Sequence, residues 1–181
     1  TVIMAADARW ALLMTDGSSG NTVVNNILLN LNPNRGSMTV EANSLPALSD
    51  HNIVQNLFQT DGANGSFSQW QSFSGGQDTH SLVYSQADIA AALDALFVNA
   101  AGGDFHLKSG SPAIDVGDPF HAPAVDIYQH ARPTAMGVDI GAFEAGDFVP
   151  AVQFESDNVI GYEFIGMAEI AVTRTGNTEG A

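Results

Sequence analysis

A chain of 181 residues that is 45% hydrophobic has room for one ordinary domain, or for one domain and part of a second, and is too apolar to stay disordered. Twenty acidic residues against five basic give a net charge of −15, which repels nucleic acid and anionic membranes, and repels uronic-acid polymers unless a cation intervenes. Cysteine is absent, which excludes disulfides and thiolate chemistry, and no run approaches the roughly 18 apolar residues of a membrane span, so membrane insertion is not expected.

The opening residues, TVIMAADARW, carry no initiator Met and no basic-then-apolar signal pattern, and the last ones, VTRTGNTEGA, stop just after a strand-like run. Both ends read as cut from a longer polypeptide. A first strand is expected between Trp10 and Met14. Two segments then resemble each other, NTVVNNILLN from Asn21 and HNIVQNLFQT from His51. Aligned at their first residues, Val23 and Val24 match Ile53 and Val54, Asn26 matches Asn56, and Ile27 and Leu28 match Leu57 and Phe58. Short strands repeating with an asparagine in register predict a solenoid, with residues 21–29 and 52–59 on adjacent coils of one parallel sheet and Asn26 stacked near Asn56. An antiparallel sandwich is the rival. The long linking segments favour the solenoid, and no Asp-Gly or Asn-Gly hairpin is expected between adjacent strands.

In YSQADIAAALDALFV, Ser85 followed by Asp88 reads as a capping box, and the apolar spacing predicts a helix over 86–96 with Ile89, Ala92, Leu93 and Leu96 on its packed face. From Ala101 to Glu144 the chain is rich in Gly, Pro and Asp, with strand candidates at Phe105–Leu107, Ala113–Val116 and Val138–Phe143. Pro112 and Gly110 bend the backbone there. Ile114 is expected in the core, and Asp115 as an acceptor of backbone N–H bonds. Arg132, one of five basic residues, is expected to pair with Asp126 or Asp139. Residues 147–150 read as a linker, and 151–181 as two strands of a new β domain.

The stretches DFHLKSGSPAIDVGD and RPTAMGVDIGAFE, with the upstream SDHN (49–52), GQDTHS (76–81) and LFVNAAGGDF (96–105), resemble the C-terminal closing segment of bacterial secreted right-handed parallel β-helix proteins, some of them polysaccharide lyases. Gln129 replaces a frequent turn glycine of that pattern, and LDALFV lacks the usual proline. The tail VQFESDNVIGYEFIGMAEIAVTRTGN resembles the start of a Calx-β domain, an immunoglobulin-like calcium-binding sandwich. These resemblances imply an all-β chain. Residues 1–146 would form the last coils and the cap that covers the solenoid's end, and 151–181 an incomplete immunoglobulin-like segment. They also imply an extracellular or cell-surface setting, and Glu155 and Glu163 as calcium ligands in a complete Calx-β domain.

The chemistry-bearing residues are few. Glycosidase work needs two carboxylates at a defined separation, and the available pairs, Asp115 with Asp118 and Asp139 with Glu144, sit in the presumed cap. A lyase needs a base beside a cation, whereas Lys108, Arg9 and Arg35 are scattered. The histidines, His51, His80, His106, His121 and His130, show no HExxH or close pair for zinc. His51 and His80 are read either as loop hydrogen-bonding residues or, with Asp50, Asp78, Trp10 and Trp70, as the lining of a sugar-binding groove. Asp16, Asp61 and Asp78 are candidate calcium oxygens, although no EF-hand or nonapeptide run occurs. The expectation is a structural, carbohydrate-associated module that is not catalytic in isolation. The alternatives are part of a polysaccharide lyase or glycoside hydrolase whose active site lies upstream or near His51 and His80, or a cell-surface adhesion protein. The partners expected are a polysaccharide and the rest of the parent chain.

Overall fold

The computed structural model describes residues 1–133, 136–146, 151–154 and 172–175. They fall into two units, Thr1–Ala145 and Gly146–Ala181. The described residues are those of an all-β chain with two short α-helices.

In the first unit nearly every strand is three residues long: β1 (Val2–Met4), β2 (Leu12–Met14), β3 (Thr22–Val24), β4 (Ile27–Asn30), β5 (Met38–Val40), β6 (Leu48–Asp50), β7 (Ile53–Gln55), β8 (Phe58–Thr60), β9 (Ala63–Gly65) and β10 (Leu82–Tyr84). Strands so short are held by stacking rather than by their own length. Three ladders do this, with orders β1-β4-β7-β10, β2-β5-β8-β9 and β3-β6. Every pairing is parallel except β8 with β9. Val2 faces Leu28, Leu12 faces Met38, Thr22 faces Leu48 and Ile27 faces Ile53, so all three ladders advance by one common step of 26 residues.

That step corrects the register expected from the sequence, which would have set Asn26 opposite Asn56. The Asn26 N–H instead donates to Asn52 Oδ1 at 2.9 Å, and Asn56 Oδ1 accepts from the Phe67 N–H at 2.7 Å. Asparagine recurs at two different corners of each coil, so the apolar pattern also fits a slipped alignment. The asparagines do not stack amide on amide. They replace the backbone bonds that a corner interrupts: Asn52 serves the Asn26 N–H, Ser81 Oγ the Asn52 N–H at 2.8 Å, and Gln55 Oε1 the Asn30 N–H at 2.6 Å. A second correction concerns Asp61-Gly62. With φ of 45° and 82° these two residues make a left-handed turn joining β8 to the antiparallel β9.

Alternation along the strands sorts the core into two layers. Met14, Val23, Leu28, Met38, Val40, Val54 and Phe58 come from all three ladders and pack into one interior cluster. Ile27, Leu29 and Ile53 point to the other face of the first ladder, where α2 (Ile89–Leu96) lays Ile89, Ala92 and Leu96 over them, joined by Phe97, Ala113 and Ile140. The central strands of that ladder are therefore covered on both faces, and β4 is buried along its whole length.

Two helices do this covering. A 3-10 turn, Gln86–Asp88, leads into α2, so the helical stretch runs over the span read from the sequence. The other helix, α1 (Phe67–Ser74), has a capping box between Ser66 and Gln69 and was not expected. It closes the interior beside β8 by seating Trp70, fully buried, flat on Phe58 at 5.6 Å between ring centroids.

Residues 101–146 thus play a different part from the end cover expected of them. They lie along the outer face of the first ladder. Ala113, rather than Ile114, is the fully buried residue of the SPAID stretch. The expected strands at 113–116 and 138–143 are turns and bends tied by single bonds, Ile140 N–H to the Ala113 carbonyl at 2.9 Å and Gly117 N–H to the Val138 carbonyl at 2.8 Å. The third expected strand lies within β12 (Asp104–Leu107), antiparallel to β11 (Phe97–Asn99). In the second unit β13 (Ala151–Phe154) pairs antiparallel with β14 (Val172–Thr175), Ala151 opposite Thr175. The linker expected at 147–150, and Glu155 and Glu163, lie outside the described residues. Among the described residues no helix is long and apolar enough to cross a membrane.

Candidate functional site

The corner between β6 and β7 concentrates the chemistry. Leu82 stands opposite Ile53, which brings the turn before β10 alongside the turn before β7 and places His80 beside His51. His51 has a left-handed φ of 51°, as has Asn25 (59°) one coil earlier. A left-handed residue between two ladders lets the strand direction change within two positions, and asparagine and histidine tolerate it better than most side chains.

On the inner side of this corner sits Asp78, 1% exposed. Its Oδ1 accepts from Ser81 Oγ at 2.6 Å and Asn52 Nδ2 at 3.0 Å, and its Oδ2 from Ser49 Oγ at 2.7 Å and Trp70 Nε1 at 2.8 Å. A carboxylate with four such partners is a fastener between coils and α1. Asp78 and Trp70 are therefore core rather than groove. Trp10, 3% exposed with the Arg35 guanidinium 5.9 Å from its ring centre, presents no open face for a sugar either. Both tryptophans look like surface stacking platforms in sequence, but they fill an interior that the short strands leave wide.

On the outer side Asp50, His51 and His80 converge. His80 Nδ1 lies 2.7 Å from Asp50 Oδ2, and the His80 N–H donates to Asp50 Oδ1 at 2.8 Å. His51 Nδ1 lies 3.6 Å from the same Oδ2. The two imidazoles stack, with centroids 4.8 Å apart and planes 20° from parallel. Partial burial of Asp50 works against its ionisation, but bonds from the His80 side chain and from the His80 and His51 backbone outweigh it and hold the carboxyl below its ordinary range. The pair that seemed missing from the sequence is thus formed across coils, 29 residues apart.

The other histidines also rest on aspartates. His106 Nδ1 is 2.6 Å from Asp104 Oδ1, His121 Nδ1 is 2.6 Å from Asp118 Oδ2, and His130 Nδ1 is 3.3 Å from Asp126 Oδ2. These pairs are local, at spacings of two to four residues, and a search for Asp followed closely by His would have found them. Asp104 and Asp118 are lowered chiefly by their histidine's hydrogen bond.

Asp16 and Asp61, candidate calcium oxygens, lie with Glu41 at the ends of β2, β8 and β5. Glu41 Oε2 accepts the Asp16 N–H and Asp61 Oδ1 the Ala42 N–H, both at 2.8 Å, so these carboxylates mend a corner as the asparagines do. In the closing segment Asp115 Oδ1 accepts the Gly137 N–H at 2.8 Å, and Pro112 is half-buried beside Ala113. Arg132 is buried against Glu144, with Nη1 3.3 Å from Oε2, rather than against Asp126 or Asp139. Asp139 gives Arg132 its carbonyl oxygen at 3.0 Å, while its carboxylate accepts the N–H groups of Asp115 and Ala145. No family model, curated protein or solved structure matches the chain.

Proposed function

We propose that residues 1–145 are the C-terminal coils of a right-handed parallel β-helix on an exported polypeptide. They serve as a structural, carbohydrate-associated module without a catalytic centre of their own, and residues 151–181 begin a Calx-β-like sandwich. One observation carries the reading: three parallel ladders share a single 26-residue step and enclose one apolar interior. The outer edges of β1, β2 and β3 lie at the same end of their three ladders, which suits them to receive a further coil. The acidic corners and buried carboxylates support scaffolding, because the oxygens that could act on a substrate are engaged with backbone N–H groups.

The test is incubation of the purified chain with neutral and uronic polysaccharides in the presence of calcium, with retention on the same polymers measured in parallel. Retention without release of reducing or unsaturated ends is expected. Cleavage that disappears in the paired His51→Ala/His80→Ala variant would establish the second reading, a polysaccharide-degrading enzyme. That reading has one specific support, the Asp50–His80 hydrogen bond, an arrangement by which a carboxylate orients an imidazole for proton transfer.

A further inference from the structure

We propose that Asp50, His51 and His80 form a binding site for a first-row transition-metal dication such as Zn2+, with one coordination position left open to solvent. One ligand atom from each residue lies within 4.8 Å of the other two. Ligands about 2.0–2.1 Å from a tetrahedral zinc stand roughly 3.4 Å apart. The 3.6 Å between His51 Nδ1 and Asp50 Oδ2 already fits that spacing, and the 2.7 Å between His80 Nδ1 and the same oxygen needs only a small outward turn of an exposed ring.

The second observation is His51 Nδ1 itself. The atom is shielded from solvent and has no hydrogen-bond partner, an unusual state for a polar nitrogen. A cation between it and Asp50 would satisfy it. The backbone holds the nitrogen there, since His51 occupies its left-handed turn and its ring is stacked on His80. Side-chain exposures of 18% for Asp50, 25% for His51 and 65% for His80 leave an approach from solvent on the His80 side. Two imidazoles and one carboxylate match zinc, cobalt, nickel or copper. Calcium prefers six or more oxygens. The site needs two adjacent coils in register, and it goes beyond the structural role proposed above without depending on the polysaccharide.

The experiment titrates the purified full chain with Co2+, then Zn2+, in metal-free buffer at neutral pH, following cobalt visible absorption and calorimetric heat. One equivalent of Co2+ is expected, displaced by Zn2+ and indifferent to millimolar Ca2+. Affinity should fall at least about tenfold in His51→Asn and in His80→Ala, a loss of the size that follows disturbance of a zinc ligand set. It should be unchanged in His106→Ala, whose aspartate partner lies elsewhere. Asn suits the left-handed turn at position 51. Should that variant nevertheless fail to fold, as judged by circular dichroism, His80→Ala carries the test. Absence of binding by the parent chain, or binding undiminished in His80→Ala, overturns the proposal.

Discussion

The indole N–H of Trp70 donates to the Asp78 carboxylate at 2.8 Å where both side chains are buried, which fastens α1 to the coil beneath it. Asp78 also satisfies Ser49, Asn52 and Ser81. Asp78→Ala would strand several buried donors at once, each costing about 1–3 kcal/mol when unsatisfied. A loss of about 3 kcal/mol or more in urea unfolding is expected. Asp78→Asn keeps the left-handed backbone but turns an NH2 group towards donors, so it should recover little of that loss.

Gly36 offers a test of how closely the coils approach. A Cβ there would collide with the Leu57 carbonyl, a backbone atom that cannot swing aside. That same carbonyl accepts the Ser37 N–H at 3.1 Å, so moving it would break a bond between coils. Gly36→Ala should lower stability by at least about 3 kcal/mol, towards the upper end of overpacking costs. The contrasting variant is Gly17→Asn. Gly17 has φ of 78° with open space about it, and Asn tolerates a left-handed backbone, so its melting temperature should barely move.

How far the sequence discloses this architecture depends on what each residue answers to. Apolar pairs such as Ile27-Leu28 and Ile53-Val54 signalled short stacked strands because alternation is local. The step between coils was not local: Asn26 has equally good partners by pattern in Asn52 and Asn56, and only the length of the intervening turns decides for Asn52. The span of α2 was legible from Ser85, Asp88 and the apolar spacing after them. The S-x-x-Q of α1 was equally present, but Gly65 and a run of serines hid it. Asp50, His51 and His80 each attracted notice in sequence, yet their convergence depends on the longer coil that ends at Leu82. Asp78, only two residues from His80, faces the opposite way, and sequence position alone could not have separated the two.

Arg132 should anchor the segment that covers the outer ladder face. Its side chain and that of Glu144 are both buried, and its guanidinium also donates to the Gly141 carbonyl at 2.9 Å. Removing one member of a buried ion pair leaves the other charged and uncompensated, typically at about 3–5 kcal/mol. Arg132→Ala should therefore lower the melting temperature markedly and expose 111–145 to protease before the ladders unfold. A double variant, Arg132→Met with Glu144→Gln, should recover part of the loss. Equal melting temperatures for Arg132→Ala and the parent would contradict the assignment.

The acid side of the stability curve should be set by the same segment. Asp126 is buried, which opposes ionisation, yet the N–H groups of His130, Glu144 and Tyr128 bond its carboxylate and bring its pKa below the ordinary value. A depressed folded-state pKa contributes stability that is fully present above the unfolded carboxylate value, about 3.9, and is lost as pH falls through the folded value. Asp50, Asp104 and Asp118 share this sign. Asp139 has the opposite one: burial raises its pKa, so its contribution is present at low pH and is lost as pH rises through the folded value. With four carboxyls against one, melting temperature should fall as pH drops from about 4 towards 2. Asp126→Asn carries no charge to protonate and cannot accept all three N–H bonds, so it should be less stable than the parent at pH 7. The gap between the two should narrow steadily below pH 4, and a gap that stayed constant to pH 2 would mean that Asp126 does not carry the dependence.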